Sequence, residues 1–380
     1  MKVTRLNHTL HVEKLLEDLG VDSGGVKILS AKAKPYVVKI SNLHVGGANI
    51  LKQDALSIGC DVAVPRGTVI AQQNYVDVVV IANARELEKL SKKELAQPFG
   101  LRDVAKEFSK ILGTKKQKSV DIMGVINAND DSFFAQSRFK KNSAIEKIEQ
   151  MVQDGATIID IGGVSSRPNA PVVSVEEELS RVEPILEMIL EQKLYEKVDF
   201  SIDSYEPKVI QKALNSGFKI VNDITGLQND EVCKLCGEYG ATAVIMHMQG
   251  TPQTMQNNPT YEDVLDDVYT YLQNQIQKAQ SFGIKDIVLD VGIGFGKTLE
   301  HNLMLIKHLE HFLSLEKKLL VGASRKSMID KIFPSTVEER LSGTLALHLE
   351  AYKNGASILR VHDVYEHSQA LAVQRSLDTI

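Results

Sequence analysis

Apolar residues follow two different patterns, one before and one after residue 119. In the later part, short and almost continuously apolar runs alternate with longer segments whose apolar residues recur at helical spacing. Strands of this composition are typical of a parallel sheet that helices cover on both faces. The runs predict eight strands, at residues 120–127, 157–163, 198–203, 219–224, 242–248, 286–292, 318–324 and 357–362.

Helices are predicted between these strands, at residues 143–154, 176–193, 207–216, 261–281 and 337–353, with a last helix after Asp363. Eight strands that alternate with helices over about 260 residues predict an α/β fold, and specifically a (β/α)8 TIM barrel. An open, doubly wound parallel sheet is the alternative architecture for the same pattern.

The first 112 residues predict a separate, smaller α/β domain. Helices are expected at residues 12–19, 48–60, 85–93 and 101–112, and strands at residues 36–40 and 76–82. The polar, lysine-rich stretch 113–119 predicts a linker, and the barrel then occupies residues 120–380. No group of side chains in the first domain indicates a chemistry, so packing, dimerisation and regulation all remain open for it.

Composition narrows the class of protein. The 380 residues carry a formal net charge of −5, which gives no bulk attraction to nucleic acid or to an anionic membrane surface. The chain starts without the apolar core of a signal peptide, and no apolar run approaches the length of a membrane span. The three cysteines are too few for a disulfide framework. We therefore expect a cytoplasmic protein that acts on small molecules, with no nucleic-acid or membrane partner.

Each predicted strand of the second region ends in a polar side chain. In a barrel the carboxyl ends of all strands meet at one rim, where barrel active sites are built. Strand-end turns and helix caps explain one or two such residues but not one at every strand. We therefore predict a shared site at this rim, formed by Asn127, Asp160, Asp203, Asn222 with Asp223, His247, Asp290, the segment 324–326, and Arg360 with His362.

The chemistry of this rim indicates a polar heterocycle with an anionic leaving group. Asp203, Asn222 and Asp290 offer acceptors and an amide that suit adjacent N–H donors, as on a 2-amino-4-oxo-pyrimidine edge. Donors suited to phosphate are supplied by Arg167, Arg360 and His362. The amide oxygen of Asn127 is a suitable hard ligand for Mg²⁺ that is held mostly by pyrophosphate and water.

Three further motifs have two interpretations each. The glycine-rich stretch 292–298 has Val291 where a phosphate-binding P-loop requires glycine, so a strand-end loop is the better interpretation. Cys233 and Cys236 form a CxxC motif inside a predicted helix, but no second ligand pair accompanies it, which disfavours a metal or redox site. The segment 324–327 is expected to open a helix, either as a carboxylate site or simply as a serine cap.

Motifs along residues 118–380 together resemble the dihydropteroate synthase family. Each is modest in specificity, but this many in the right order is highly specific. They are MGVIN at 123–127, DSF at 131–133, DIGGVSSRP at 160–168, SID at 201–203, NDI at 222–224, MHMQGTP at 246–252, DVGIGFGK at 290–297, SRKS at 324–327 and RVHDV at 360–364.

The resemblance implies an enzyme that condenses 6-hydroxymethyl-7,8-dihydropterin pyrophosphate with p-aminobenzoate, giving 7,8-dihydropteroate and pyrophosphate in folate biosynthesis. It implies Mg²⁺ as the cofactor, with Asn127 as a metal ligand, and a homodimer formed through helices late in the barrel. The side chains on which catalysis would depend are Asn127, Asp160, Arg167, Lys326, Arg360 and His362.

The resemblance also assigns the substrate contacts. The pterin edge would be bound by Asp203, Asn222, Asp290 and Lys326, with Arg360 stacked on the ring. The pyrophosphate would be held by Asn127, Arg167, Arg360 and His362. The p-aminobenzoate site would be formed by Phe133, Ser166, Pro168, Phe295 and Ser327, with Ser327 at the carboxylate. Asp160 would fix the rim.

The sequence departs from the family pattern at several positions. Ala135 stands where an aspartate is expected, Val164 replaces a glutamate and Val291 replaces a proline. Two rival functions share the pterin edge. One is a barrel that transfers a methyl group from methyltetrahydrofolate, which would not need the phosphate donors or Ser327. The other is a non-catalytic pterin-binding protein, which the change at Ala135 keeps in consideration.

Overall fold

The computed structural model describes residues 1–4, 6, 11–117, 119–128, 138–165 and 173–379, with backbone only for residues 138–143. Residues 1–114 form one compact unit together with the chain from Arg375 onwards, and Lys115–Gln374 form a second. Among the described residues, no helix is both long enough and apolar enough to cross a membrane.

The first unit is a small α/β structure around a three-stranded antiparallel sheet. Its strands are β1 (Pro35–His44), β2 (Asp61–Ala63) and β3 (Tyr75–Asn83), with β3 in the centre. Its helices are α1 (Val12–Asp18), α2 (Ser23–Ala33), α3 (Val45–Ile58), α4 (Ala84–Glu94) and α5 (Leu101–Gly113). Strand β3 alternates buried and exposed residues, so one face of the sheet packs on the apolar sides of the helices.

The second unit is a closed barrel of eight parallel strands, which confirms the predicted fold and rules out the open sheet. In chain order the strands are β4 (Asp121–Asn127), β5 (Ile158–Gly162), β6 (Asp199–Asp203), β7 (Ile220–Asp223), β8 (Thr242–Met246), β9 (Ile287–Asp290), β10 (Lys318–Val321) and β11 (Ile358–Val361). Neighbours in the chain are neighbours in the barrel, and β11 closes it by pairing with β4.

Helices surround the barrel between successive strands. They are α6 (Arg138–Gln153), α7 (Val175–Glu191), α8 (Pro207–Asn215), α9 (Asp230–Tyr239), α10 (Val264–Ser281), α11 (Leu299–Lys307), α12 (Ser327–Ile332), α13 (Leu341–Lys353) and α14 (Val364–Asp378). Their apolar faces form one large buried layer with the outward-facing residues of the strands.

The barrel interior has an apolar layer of its own. Seven strands each contribute one residue to a separate buried cluster, formed by Met123, Ile158, Ile220, Val244, Val288, Leu320 and Ile358. The strands are thus apolar on both faces, which explains the near-continuous apolar runs of the sequence.

Several strands end earlier than predicted. Strand β8 ends at Met246, β9 at Asp290 and β10 at Val321, two to three residues before the predicted ends. The remaining residues turn into loops at the rim, as at Gly292, where φ is +70°. These loops carry side chains of the candidate site.

Candidate active site

Arg360 on β11 connects two strands that are not its neighbours. Its Nε donates to Asp160 Oδ2 on β5, and its Nη2 donates to Asp203 Oδ2 on β6, each at 2.7 Å. The side chain of Asp160 is fully buried and that of Asp203 is 12% exposed. One guanidinium thus compensates two carboxylates that would be costly to bury alone. These three predicted site residues are therefore held together at the mouth of the barrel.

Asn222 belongs to the same network. Its Nδ2 donates to Asp160 Oδ2 at 3.2 Å, and its backbone lies opposite Asp203 in the pairing of β6 with β7. Asp160 Oδ1 is buried and has no hydrogen-bond partner among the described residues. Asp160 therefore orients the side chains of Arg360 and Asn222 at the mouth of the barrel.

The carboxyl groups of Asp203 and Asp290 at the rim both have raised pKa values. Burial raises the pKa of Asp203, and the Arg360 guanidinium opposes this shift. Burial also raises the pKa of Asp290, and the Gly292 backbone N–H, which donates to Asp290 Oδ1 at 2.7 Å, opposes it. A bound group that donates N–H bonds to these carboxylates would stabilise their ionised forms.

Lys326 and Phe295 lie together beside these carboxyl groups. Lys326 Nζ is 4.1 Å from the centre of the Phe295 ring. Its charge opposes the upward pKa shifts of Asp203 and Asp290. Phe295 is buried in a small apolar cluster with Ile224, Met246 and Met255. This surface, next to hydrogen-bonding groups, suits a flat ring with a polar edge.

The segment 324–327 is tied to the loop that follows β11. Ser324 Oγ lies 2.9 Å from His362 Nδ1 and accepts the His362 backbone N–H at 3.3 Å. Arg325 donates to both carboxylate oxygens of Asp363, at 3.0 and 2.6 Å. Helix α12 begins at Ser327, as predicted, but Lys326 rather than a serine is the cap residue. Ser327 is exposed at the rim, so its hydroxyl is accessible to a ligand.

Lys297 is a residue of this site that the sequence did not identify. It is 2% exposed, and its Nζ donates to the carbonyl oxygens of His247 and Phe295 at 3.3 and 3.0 Å. The signal was present in the glycine-rich stretch 292–298, for which the sequence favoured a strand-end loop over a phosphate-binding loop but gave no role to the lysine. Here the lysine points inward and holds the β9 loop against the loop after β8.

The remaining predicted residues have different environments. Asn127 is half-buried at the end of β4. Asp223 was placed in the shared site, but its carboxylate accepts bonds from Thr225 and Leu227, so it stabilises a turn. Cys233 and Cys236 are buried free thiols in α9, and the described residues contain no cluster of metal ligands around them. Four predicted site residues fall outside the described residues, as does Ala135: Phe133, Ser166, Arg167 and Pro168.

Comparison with known proteins identifies relatives of both parts of the chain. The family model for pterin binding enzymes matches residues 123–362. The bifunctional dihydropteroate synthase/dihydropteroate reductase of Helicobacter pylori is 41% identical over 378 residues, which cover 100% of this chain and 99% of that protein. The dihydropteroate synthase of Haemophilus influenzae is 42% identical over 257 residues, or 66% of this chain and 92% of that protein.

Solved structures agree with these matches. A sulfonamide complex of the Yersinia pestis dihydropteroate synthase superposes with a TM-score of 0.64 at 35% identity, covering 69% of this chain and 95% of that one. The barrel, its rim of pterin-compatible groups and the identity to these relatives lead to one assignment. The chain belongs to the dihydropteroate synthase family of pterin-binding enzymes.

Proposed function

We propose that this chain is a dihydropteroate synthase, which joins 6-hydroxymethyl-7,8-dihydropterin pyrophosphate to p-aminobenzoate. The observation that carries the proposal is the network in which Arg360 holds Asp160 and Asp203 together at the barrel rim. A methyltransferase that uses methyltetrahydrofolate would have no need of a guanidinium at this place, because its substrate has no pyrophosphate. The family assignment supports the same reaction.

The pterin edge is bound by Asp203, Asn222, Asp290 and Lys326. The first three supply acceptors and an amide on adjacent strands β6 and β7 and on β9. Two N–H donors of a 2-amino-4-oxo-pyrimidine can meet a carboxylate side by side. Selectivity follows, because a ring without these donors leaves buried acceptors unpaired.

The pyrophosphate is held by Arg360 and His362. The family resemblance adds Arg167, which lies outside the described residues. Arg360 uses Nε and Nη2 on the two aspartates, and a guanidinium has five N–H donors, so three can face the ligand. Asn127 supplies an amide oxygen at the same rim. A single amide fits Mg²⁺ that receives its other ligands from the pyrophosphate and water, and the bound ion would offset the charge of the leaving group.

The p-aminobenzoate site contains Phe295 and Ser327. The family resemblance adds Phe133, Ser166 and Pro168, which lie outside the described residues. Ser327 is exposed at the start of α12, so its hydroxyl can donate to the carboxylate of the substrate. Phe295 offers an apolar surface to the aromatic ring. Because α12 has only six residues, the hydroxyl and the first backbone N–H groups contribute more than the helix dipole.

In the reaction, the amine nitrogen attacks the exocyclic methylene carbon of the pterin. A C–N bond forms, the C–O bond to pyrophosphate breaks, and the amine loses one proton. The electron-rich pterin can carry positive charge in the transition state, so catalysis depends on stabilising the departing pyrophosphate and on positioning the amine. The arylamine is neutral near pH 7, so no dedicated base is required.

The test is pyrophosphate release from the pterin pyrophosphate in the presence of Mg²⁺, with and without p-aminobenzoate. We expect release that depends on p-aminobenzoate and yields 7,8-dihydropteroate. Tight pterin binding without turnover would instead indicate a pterin-binding protein. Asp203→Asn should lower kcat/KM for the pterin by at least about 100-fold, because it removes the carboxylate charge from the pterin edge.

A second activity, reduction of dihydropteroate, is favoured by the extent of the matches. The relative named as a synthase/reductase aligns with all of this chain, whereas the Haemophilus influenzae synthase aligns with 66% of it. The family model for pterin binding enzymes begins at residue 123, so the first unit, which has its own sheet and core, precedes the matched region. The reaction would add a hydride from NADH or NADPH to C6 and a proton to N5, giving tetrahydropteroate and the oxidised coenzyme.

This second activity is tested by following the oxidation of NADH and of NADPH with 7,8-dihydropteroate and the full chain. The variant Asp203→Asn separates the two activities, since it should lose synthase activity and keep reductase activity. No oxidation under any of these conditions would refute the reductase assignment and leave the synthase assignment intact.

A homodimer through the late barrel helices is also part of the proposal. Large apolar side chains are exposed there: Ile332 is 55%, Phe333 is 73% and Tyr365 is 59% exposed. Exposed apolar residues in one region commonly mark an interface. Sedimentation equilibrium of the wild type and of Phe333→Asp checks it, because the charge should shift the protein to the monomer.

A further inference from the structure

Two buried histidines connect the loops that carry the site. His348 on α13 and His367 on α14 are each 1% exposed, and their ring nitrogens are 2.8 Å apart. His348 Nε2 accepts the backbone N–H of Ala323 at 3.0 Å. His367 Nδ1 lies 2.6 Å from the carbonyl oxygen of Asp363. The contacts therefore run without interruption from Ala323, through both rings, to Asp363.

The two ends of this chain of contacts fix the tautomers of both rings. A backbone N–H can only donate, so Nε2 of His348 must be unprotonated and Nδ1 must carry the hydrogen. That hydrogen points to His367 Nε2, which must accept it. His367 Nδ1 then carries a hydrogen, and the Asp363 carbonyl accepts it. Both imidazoles are therefore neutral, and every hydrogen bond has the same direction.

The chain of contacts ends at the two segments that bear substrate-binding side chains. Ala323 immediately precedes the segment 324–327. Asp363 immediately follows His362 and is the ion-pair partner of Arg325. Neither histidine belongs to these segments, so both can act only through them.

Arg325 shows that the segment 324–327 needs external support. Its φ is +54°, a left-handed conformation that is unfavourable for a side chain other than glycine. Helix α13 binds the backbone here, because the Arg325 N–H donates to Thr344 Oγ1 at 2.9 Å. One turn further along the same helix, His348 binds the Ala323 N–H. The two contacts hold the backbone on either side of Ser324.

We infer that His348 and His367 are positioning residues, which hold the segment 324–327 against the loop after β11 so that Ser327 meets the carboxylate of p-aminobenzoate. The inference rests on the proposed function, which places the substrate at Ser327. Apolar residues could fill the same space, but they would leave the buried Ala323 N–H without an acceptor. The Asp363 carbonyl also accepts the His367 backbone N–H, so the Ala323 end depends more on its imidazole.

The test compares two substitutions at His348. In His348→Gln the amide oxygen can accept from Ala323 while the amide nitrogen donates to His367, which reproduces the pattern without a titrating ring. In His348→Leu a side chain of similar volume fills the space, but both hydrogen bonds of His348 are lost. We expect the KM for p-aminobenzoate to rise roughly tenfold in His348→Leu and to stay near the wild-type value in His348→Gln. The KM for the pterin should rise less than that for p-aminobenzoate, because three of its four edge residues, Asp203, Asn222 and Asp290, are on other strands and only Lys326 lies in the segment 324–327.

Leu371→Ala serves as the stability control, because Leu371 is buried in the helix layer on α14. It should lower the thermal midpoint without raising the KM for p-aminobenzoate. The inference is overturned if His348→Leu leaves that KM unchanged, if His348→Gln fails to rescue it, or if Leu371→Ala raises it equally. The wild type is assayed first: absence of p-aminobenzoate-dependent turnover there would refute the proposed function itself.

Discussion

Lys297 Nζ lies 2.9 Å from His247 Nδ1, and both side chains are almost completely buried. Burial lowers the pKa of Lys297 to about 7 and that of His247 to about 3. Because the imidazole is neutral, its Nδ1 can accept a hydrogen from the lysine. The pair, with two backbone carbonyls as further acceptors, holds the β8 and β9 loops together.

The lowered pKa of Lys297 predicts a pH-dependent stability. An unfolded chain keeps this lysine protonated up to a pKa near 10.4, whereas the folded chain has released the proton above about pH 7. The contribution of this residue to the free energy of unfolding therefore rises between pH 7 and pH 10. Between pH 7 and pH 9.5 the free energy of unfolding, measured by urea denaturation, should rise less in Lys297→Met than in the wild type, by up to about 3 kcal/mol. An equal gain in the variant and the wild type would contradict the prediction.

Removing Arg360 should destabilise the barrel, because it leaves Asp160 and Asp203 without their shared counter-charge. We expect Arg360→Met to lower the free energy of unfolding by about 3 kcal/mol and to abolish synthase activity. The loss should be smaller at pH 5.5 than at pH 8.5, since protonation relieves a buried carboxylate that has a raised pKa. Lys212→Met is the control: it breaks an ion pair with Glu183 in which both side chains are 40–42% exposed, and it should cost under about 1 kcal/mol.

Gly292 occupies a position that no other residue can fill. Its φ is +70°, and an added Cβ would lie 1.9 Å from the His247 carbonyl oxygen. Gly240 has a similar φ of +63° and no atom within 4 Å of an added Cβ, which makes it a matched control. Gly240→Ala should cost about 1 kcal/mol, from backbone strain alone. Gly292→Ala should cost several times more and weaken pterin binding, because its N–H holds Asp290. Equal effects on urea denaturation would show that the close approach is unimportant.

The two buried histidines predict a loss of stability in acid. Burial lowers the pKa of His348 well below 6.5, with His367 and His362 adding to the shift. Burial also lowers the pKa of His367, while the Asp363 carbonyl, the Asp363 carboxylate and Glu366 oppose the change. Below pH 6.5 the unfolded chain gains protons that the folded chain does not bind, so the folded state loses stability. Between pH 6.5 and pH 5 the free energy of unfolding, measured by urea denaturation, should fall less in His348→Gln than in the wild type, by about 1 to 2 kcal/mol. Parallel curves for variant and wild type would argue against it.

The thiols of α9 should be unreactive in the folded protein. Burial raises the pKa of Cys233 and raises that of Cys236 to about 12. Thiolates are the reactive form, so iodoacetamide at pH 8 should label these residues only after denaturation. Rapid labelling of the native protein, located by peptide mapping, would indicate that α9 opens readily.

The fold was predictable because its strongest determinant, the apolar run of each strand, is a local sequence pattern. A strand that is apolar on both faces must be covered on both faces, and eight such runs leave few architectures. The ends of the strands were less predictable, because β8 and β9 end where the backbone turns into loops that carry side chains of the site. Strand β2 was missed because three residues are too few to give a periodic signal.

The site was predictable only in part, for a related reason. A polar residue near the end of a strand is visible in the sequence, and Asp160, Asp203, Asn222 and Arg360 were found in that way. Contacts between helices and loops are not visible. His348 and His367 are 19 positions apart, and their ring contact depends on how two helices pack. Lys297 was overlooked because a lysine after glycines is ordinarily exposed.

The barrel can close only after β11 has been synthesised, because β11 pairs with β4. The two strands are joined by register pairs such as Ile358 with Asp121, so their contact spans almost the whole second unit. During synthesis the first unit can begin to fold early, while the barrel stays open until its eighth strand has left the ribosome. Arg360 lies on that strand, so Asp160 and Asp203 are synthesised long before the guanidinium that balances their charge. A nascent barrel therefore exposes unpaired strand edges and an unbalanced acidic mouth at the same time, and this is the interval in which a chaperone would be most useful.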